Sequence, residues 1–529
     1  MKIVRLLCLL LATAAPAGAR AEWREAVTRH FIVYSEDKEE KLREAALDLE
    51  KYDYLLRLAL DLPQESKTKL RIYLLRDQRE VQRSMGYGVG GGVAGYYQAS
   101  SRGPIAVGGR AATGESVYDL SSQGVLFHEY AHHLMLQYFE GYYPTWFTEG
   151  FAEYYGTARI LADNQIEVGR PASHRLVGFR WEGWKPVKAL LTARTAKDID
   201  NKFYLFYSQG WLLVHYLSNS ESRAGQLRKY LSLLNRGADF EEAMNAAFGT
   251  DATELDKELR AYSARRKFDA YRVSFEKLDV GGTTIRALSP AEQALFEANL
   301  MLSRGLFRRE AAEFVKEVRR KAAPFPNDPY ALAVLAEAEH LAGNHEAAIA
   351  AADRWLAVRP GEPRALARKA LATAEGLAAA RAADAKAWEA PRAWLAEARK
   401  AAPEDPFVLE AYYDVYDAQG SLPPARAQNA LYHAMELVPQ DERLRQKVAA
   451  DYERRNMIEP AIEALLPVAV GAHDPDEESA GEKKKREKAE EKWRRAGEHK
   501  MENPREMLER LQAKLTGAGR APGTPAPAK

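Results

Sequence analysis

The spacing of apolar positions changes repeatedly along the first half of the chain. In RHFIVYSE (29–36) they alternate, which predicts a strand with Phe31, Val33 and Tyr34 supplying the β-prone residues. Residues 38–61 switch to spacings of three and four, with Leu42, Ala46, Leu49, Tyr52, Leu56 and Leu60 on one side, the mark of an amphipathic helix. KLRIYLLRD (69–77) and PIAVGG (104–109) read as further strands. Between them GYGVGGGVAGYYQ (86–98) lacks the Gly-Lys-Ser/Thr ending of a phosphate loop, and no helical pattern follows it, so it reads as a hairpin or loop beside a sheet edge. SSQGVLFHEYAHHLMLQYFEG (121–141) is apolar on nearly every side, which predicts a buried helix capped by Ser121 or Ser122 and ended near Gly141. A second helix opens at Pro144 or Thr145 in YYPTWFTEGFAEYYG (142–156).

From about Leu288 to Val470 the pattern becomes helical and rich in alanine. In residues 327–363 Ala336, Gly343, Ala348 and Pro360 fall at positions 8, 15, 20 and 32 of a 34-residue helix-turn-helix unit, which resembles a tetratricopeptide repeat. Looser copies are marked by Ala298, Gly305 and Ala311, by residues 402–420, and by Ala449, Ala461 and Pro467. An alanine-rich insertion over 371–400 departs from the pattern. Stacked repeats of this kind build a concave groove suited to a protein or peptide partner; a helical bundle with no partner is the alternative. Residues 474–500 mix both charges and predict a solvated helix, and the Pro/Gly/Ala-rich end predicts a disordered tail.

Composition adds the compartment. MKIVRLLCLLLATAAPAGARA combines Lys2 and Arg5, a short apolar run and an A-x-A site before Glu22, which predicts a secretory signal peptide over 1–21. Its run is too short for a membrane span, and no other apolar stretch approaches that length, so no stable membrane insertion is expected after cleavage. The single cysteine, Cys8, lies inside it, which excludes disulfide and thiol chemistry from the mature chain. Export to the periplasm, or into the medium, follows. Losing Lys2, Arg5 and Arg20 takes the formal net charge of +1 to −2, so charge gives no reason to expect nucleic acid as a partner.

The candidate chemistry lies in FHEYAHHL (127–134). His128 and His132 are four apart and project from one helix face, and a buried helix cannot carry them without partners. A divalent metal would satisfy them. Glu129 sits at the edge of that face, placed for a metal-bound water rather than the metal. Glu149 can complete the two-histidine-one-carboxylate set common in catalytic zinc sites. Glu153, one turn further on, can hydrogen-bond a ligand histidine and hold its tautomer. The alternative for Glu149 and Glu153, an exposed helical face, fits poorly beside Trp146, Phe147, Phe151, Tyr154 and Tyr155.

His128-Glu129-Tyr130-Ala131-His132 followed by Trp146 to Glu153 resembles the gluzincin branch of the zinc metallopeptidases, closest to the bacterial peptidase MA-like (DUF1570) proteins, over about Trp23 to Phe268. The resemblance implies an α+β fold: a thermolysin-like zincin catalytic domain (22–272), followed by an all-α tetratricopeptide-like repeat domain (285–470) and a charged helix with a disordered tail (471–529). It implies Zn2+ held by His128, His132 and Glu149, with Glu129 as general base in hydrolysis of a peptide or protein substrate. The oxyanion needs a donor, and Tyr207 in FYSQGW is the candidate, with Tyr204 and His215 behind it; a core tyrosine is the alternative. His133 points away from the ligand face, to a place behind the ligands or on the surface, and the loop histidine His174 can line the cleft. Extended substrate can add to an edge strand near Ala94–Gln98 or Ile105–Val107. No G-A-M-E-N-like segment precedes the helix, which leaves exopeptidase action unsupported. Two readings follow: a zinc peptidase whose repeats recruit a substrate or partner, or a protein-binding repeat scaffold with an inactive or structural metallopeptidase-like domain. Hydrolysis of a non-peptide substrate is a third.

Overall fold

A computed structural model describes residues 22–470 and 502–517, apart from 67, 86–92, 111–120, 140, 142, 194–198, 201, 237, 266, 276–279 and 307. The expected signal peptide, the charged segment 474–500 and the end of the tail lie outside the described residues. The first half runs β1 (Arg24–Val27), β2 (Phe31–Ser35), α1 (Glu39–Leu60), β3 (Leu70–Leu75), α2 (Gln78–Ser84), β4 (Gly95–Gln98), β5 (Ile105–Gly109), α3 (Ser122–Tyr138), α4 (Thr145–Gly156), β6 (Arg159–Ile160) and β7 (Gln165–Val168). It continues through α5 (Leu176–Trp181), α6 (Val187–Thr192), α7 (Phe203–Asn219), α8 (Gln226–Asn235), α9 (Phe240–Phe248), α10 (Ala252–Ser263), β8 (Tyr271–Ser274) and β9 (Thr284–Ala287).

Six strands form a mixed sheet in the order β4-β5-β3-β2-β1-β9, and β6-β7-β8 form a second, smaller sheet. Alternation along the strands decides what each face buries. Phe31, Val33, Ile72 and Ala106 join the core beneath α1 and α3. Tyr73, Leu75, Ile105 and Val107 point the other way. The glycine-rich segment does more than lie beside a sheet edge: Gly95–Gln98 is the edge, antiparallel to β5. Ile105–Val107 is interior, paired on both sides, so it offers no backbone for added substrate.

The second half is five helical hairpins among the described residues: α11 (Pro290–Arg304) with α12 (Arg308–Ala322), α13 (Pro329–Leu341) with α14 (His345–Val358), α15 (Pro363–Ala379) with α16 (Glu389–Ala401), α17 (Pro406–Asp417) with α18 (Ala425–Leu437), and α19 (Glu442–Arg454) with α20 (Ile458–Val470). Their starts are written locally, because Asp328, Asp405 and Asp441 each accept hydrogen bonds from the first-turn amides of the helix that follows. Ala336 and Ala348 are fully buried, and Gly343 turns α13 into α14 at φ +74°. The alanine-rich stretch 371–400 stays within the stack as a longer α15 and a 3-10 turn at Ala385–Trp388, pinned by the buried Trp388.

Strands beyond residue 270 complete both sheets. Residues 271–274 pair with β7 and 284–287 pair with β1. Leu288, Phe296 and Leu300 then cover the rear of the large sheet, with Phe296 stacked on Trp23 at 3.8 Å. A shared core this apolar joins the halves firmly. Within the expected tail, Pro504–Gly517 is a helix docked on the repeats through Met507, Leu508 and Leu511. Its Arg510 and Lys514 both pair with Glu453, and these two cations pull the Glu453 carboxyl down to about 2 against its partial desolvation. A depressed carboxylate stabilises the docked helix above its unfolded pKa of about 4.3 and loses that contribution as pH falls toward 2. Protection factors of the 504–517 amides should therefore fall between pH 5 and pH 3 by more than those in α19, and Glu453→Gln should remove the pH-dependent part.

Candidate metal centre

Helix α3 is placed by what it buries. Tyr52 of α1 stacks on Phe127 at 3.8 Å and its hydroxyl donates to the Phe127 carbonyl at 3.1 Å. Beneath it His30, Glu50, Asp53 and Arg57 form a buried charged network, with His30 Nδ1 2.8 Å from Glu50 and Arg57 Nε 2.7 Å from Asp53. The Tyr130 and Tyr138 hydroxyls of α3 bond into it, to Asp53 and from Arg57. These residues are scattered along the chain with no motif spacing, so only the fold reveals them. Helix α4 meets α3 at Gly156, where an added Cβ would lie 3.3 Å from the His128 Cβ. It meets α7 at Gly150, where an added Cβ would lie 2.4 Å from the Gly210 carbonyl oxygen.

This packing brings His128, His132 and Glu149 together. The two Nε2 atoms are 3.1 Å apart, and Glu149 Oε2 lies 3.6 Å from His128 Nε2 and 3.4 Å from His132 Nε2. Tetrahedral zinc with ligands at about 2.0–2.2 Å needs neighbouring donor atoms about 3.3–3.6 Å apart. The two edges to Glu149 fall in that range and the Nε2–Nε2 edge, at 3.1 Å, is slightly shorter, while the two nitrogens and one oxygen are the donor types zinc takes. Glu129 stands beside it, 6% exposed, with Oε2 buried and accepting no hydrogen bond among the described residues. Its Cγ lies 3.6 Å from where a Cβ on Gly95 would be, so the glycine lets the edge strand pass close to the base position.

Glu153 takes the place expected for it and gathers more partners than one. Its Oε1 faces His128 Nδ1 at 3.2 Å and accepts from Arg175 at 2.8 and 2.6 Å, while Oε2 bonds His174 Nε2 at 2.8 Å. Although burial opposes ionisation, Arg175, His174 and His128 hold the Glu153 carboxyl well below its usual range. An ionised Glu153 fixes His128 with its proton on Nδ1, leaving the Nε2 lone pair directed at the triangle. Burial opposes protonation of His128, but Glu153 and Glu149 outweigh it and push its pKa up to about 10. A proton on Nε2 and a metal ion would compete for the same lone pair, so metal binding there would release that proton.

The surrounding assignments divide. Tyr207 is buried, with the guanidinium of Arg175, a partner of Glu153, 4.5 Å from its ring centre. Tyr204 is 48% exposed and packs edge-on against Trp181, while His215 uses both nitrogens on Tyr262 and the Gly169 carbonyl, which leaves it no donor for an oxyanion. His133 is not a surface residue: it is buried between the Tyr97 hydroxyl, at 3.0 Å, and Gln440 of the repeats, and burial pushes its pKa down to about 3. His174 reaches the site through Glu153. Arg175 had no motif to announce it; its only local signal is its place next to His174 in a 3-10 turn. Replacing Glu153 with alanine should lower zinc affinity about 10–100-fold while the fold persists, measured by competition with a chromophoric chelator.

The arrangement defines a class: a buried two-histidine-one-glutamate centre on two helices beside a sheet, carried with a stack of tetratricopeptide-like hairpins. No protein-family model matches the chain, and no curated protein matches it. Solved structures similar to it include the MamA RS-1 ArsTM double mutant (22% identity, 33% of this chain and 90% of that chain, TM-score 0.24). Another is TTC0263, a thermophilic TPR protein in Thermus thermophilus (18% identity, 35% and 94%, TM-score 0.30). A third is MamA 41-end from Desulfovibrio magneticus RS-1 (22% identity, 33% and 90%, TM-score 0.24). No described helix is long and apolar enough to cross a membrane.

Proposed function

We propose that this chain is an exported zinc-dependent peptidase with a thermolysin-like zincin domain, hydrolysing peptide bonds in a protein or peptide substrate. The observation that carries the reading is the triangle of His128, His132 and Glu149, with a further carboxylate, Glu129, left beside it and its Oε2 not engaged in hydrogen bonding among the described residues. A zinc ion held there would supply Lewis-acid polarisation of the scissile carbonyl and acidify a water. The chain's own residues do the rest. Glu129 accepts the water's proton on its buried Oε2 and delivers it to the leaving amine. Glu153 keeps the His128 tautomer fixed. The Tyr207 hydroxyl is assigned to the oxyanion, with Arg175 stacked on its ring. The edge strand β4 offers backbone groups along which an extended substrate can lie.

The hairpin stack favours a second reading, a protein-binding scaffold in which the metal centre is structural. Metal removal separates the two. Under the peptidase reading, dialysis against a chelator should abolish cleavage of an unfolded protein, and one equivalent of zinc should restore it. Under the scaffold reading no cleavage exists to lose, and chelation lowers only the melting temperature.

A further inference from the structure

The turn between β4 and β5 projects away from its own sheet and into the repeats. Ser100 to Gly103 closes it, with the Gly103 amide donating to the Ser100 carbonyl at 2.8 Å and Gly103 at φ +107°. Arg71 of β3 holds the turn from below, donating to the Arg102 carbonyl at 3.2 Å, the Gly103 carbonyl at 3.3 Å and Ser303 of α11 at 3.3 Å. Arg102 itself leaves the sheet. Its guanidinium pairs with Glu337 of α13, whose other oxygen pairs with Arg368 of α15, and donates to the Leu302 carbonyl at the end of α11 at 2.6 Å. The neighbouring Ser101 is buried and lies near Glu410 of α17, whose carboxylate accepts from Lys447. All three contacts come from the first helix of a hairpin, so these helices line the side of the stack that faces the sheet.

We propose that this inner side of the repeats is a receptor for an arginine-bearing turn, and that its resident ligand is the chain's own Ser101–Arg102–Gly103. The receptor reads a guanidinium through one carboxylate, shared with Arg368 of α15, and one helix-end carbonyl. A forked guanidinium satisfies both acceptors at once, which a lysine cannot do in the same geometry. Recruitment of an outside partner through this part of the groove therefore requires displacing the turn.

The position of the turn gives the contact a role. β4 has four residues and one pairing partner, and Gly95 at its start lies against α3 at Glu129. The repeats hold its far end through Arg102. They also hold α3, because Gln440, next to the start of α19, donates to Gln137 and reaches His133. One stack thus contacts both the turn after the strand and the helix that border the candidate metal centre, and under this proposal it clamps them relative to each other. This inference does not depend on whether the centre hydrolyses anything.

Amide hydrogen exchange on the full chain tests it, comparing wild type with Arg102→Glu, Glu337→Arg and the double swap. Each single variant should raise exchange of the Tyr96–Val107 amides about ten-fold, leave the β1–β2 amides (24–35) at the wild-type rate, and the swap should recover most of the protection. Arg102→Lys, which keeps the charge, should raise exchange less than Arg102→Glu. Wild-type exchange in both single variants would overturn the proposal, as would an equal rise in β1–β2, which would show general loosening rather than release of a clamp.

Discussion

Glu129→Gln is expected to retain one zinc per chain and to cleave an unfolded protein about 10²–10⁴-fold more slowly than wild type. The substitution preserves shape and removes only the capacity to take a proton. Glu129 lies outside the ligand triangle and accepts no hydrogen bond at Oε2 among the described residues, so the fold loses no bond there by the change. Zinc content by mass spectrometry and cleavage rate, measured on the same preparations, decide the matter. Equal cleavage by both proteins would move the base elsewhere. One zinc in each with cleavage by neither would favour the scaffold.

Gly150→Ala should be severely damaging for a single methyl group. Its Cβ would fall 2.4 Å from the Gly210 carbonyl oxygen and 2.8 Å from Val214 Cγ2, both on α7. Backbone cannot turn aside as a flexible side chain can, so α4 and α7 must separate. Gly210 has the same problem in reverse, with the Trp146 carbonyl oxygen 2.8 Å from its own Cβ position. Overpacking of this kind costs about 1–3 kcal/mol or more. Here it also shifts Glu149, the preceding residue, away from two histidines on α3. A lower urea midpoint together with weaker zinc binding is the expected pair of results. A variant as stable as wild type would mean that the helices have slack this packing does not show.

The centre was legible because its pieces are local. His128 and His132 share a helix face by spacing alone, and Glu149 and Glu153 do so on the next helix, so a short window contains all four. Strand and helix periods in 29–77 were legible for the same reason. The repeat signature of 327–363 was equally local, since Ala336, Gly343 and Ala348 answer to contacts inside one hairpin. Three placements left open by local pattern turn on a distant contact. Ile105–Val107 is interior because β3 pairs with it across the sheet. His133 is buried because Gln440, 307 residues later, closes over it. Residues 504–517 dock because α19 and α20 stand ready to cover Met507, Leu508 and Leu511.

Residue order alone thus specified the helix that carries the histidines, the helix that carries the glutamates, and the hairpin repeats that follow. Those features obey periods of two, three and four residues, and local hydrogen bonding and steric fit enforce such periods wherever the chain sits. The tertiary structure alone decided that the glutamates meet the histidines at ligand spacing, that Arg175 and His174 secure Glu153, and that the repeats close on Arg102. Each of these depends on which surfaces become neighbours after the chain has packed, and buried charge is tolerated only where such neighbours neutralise it.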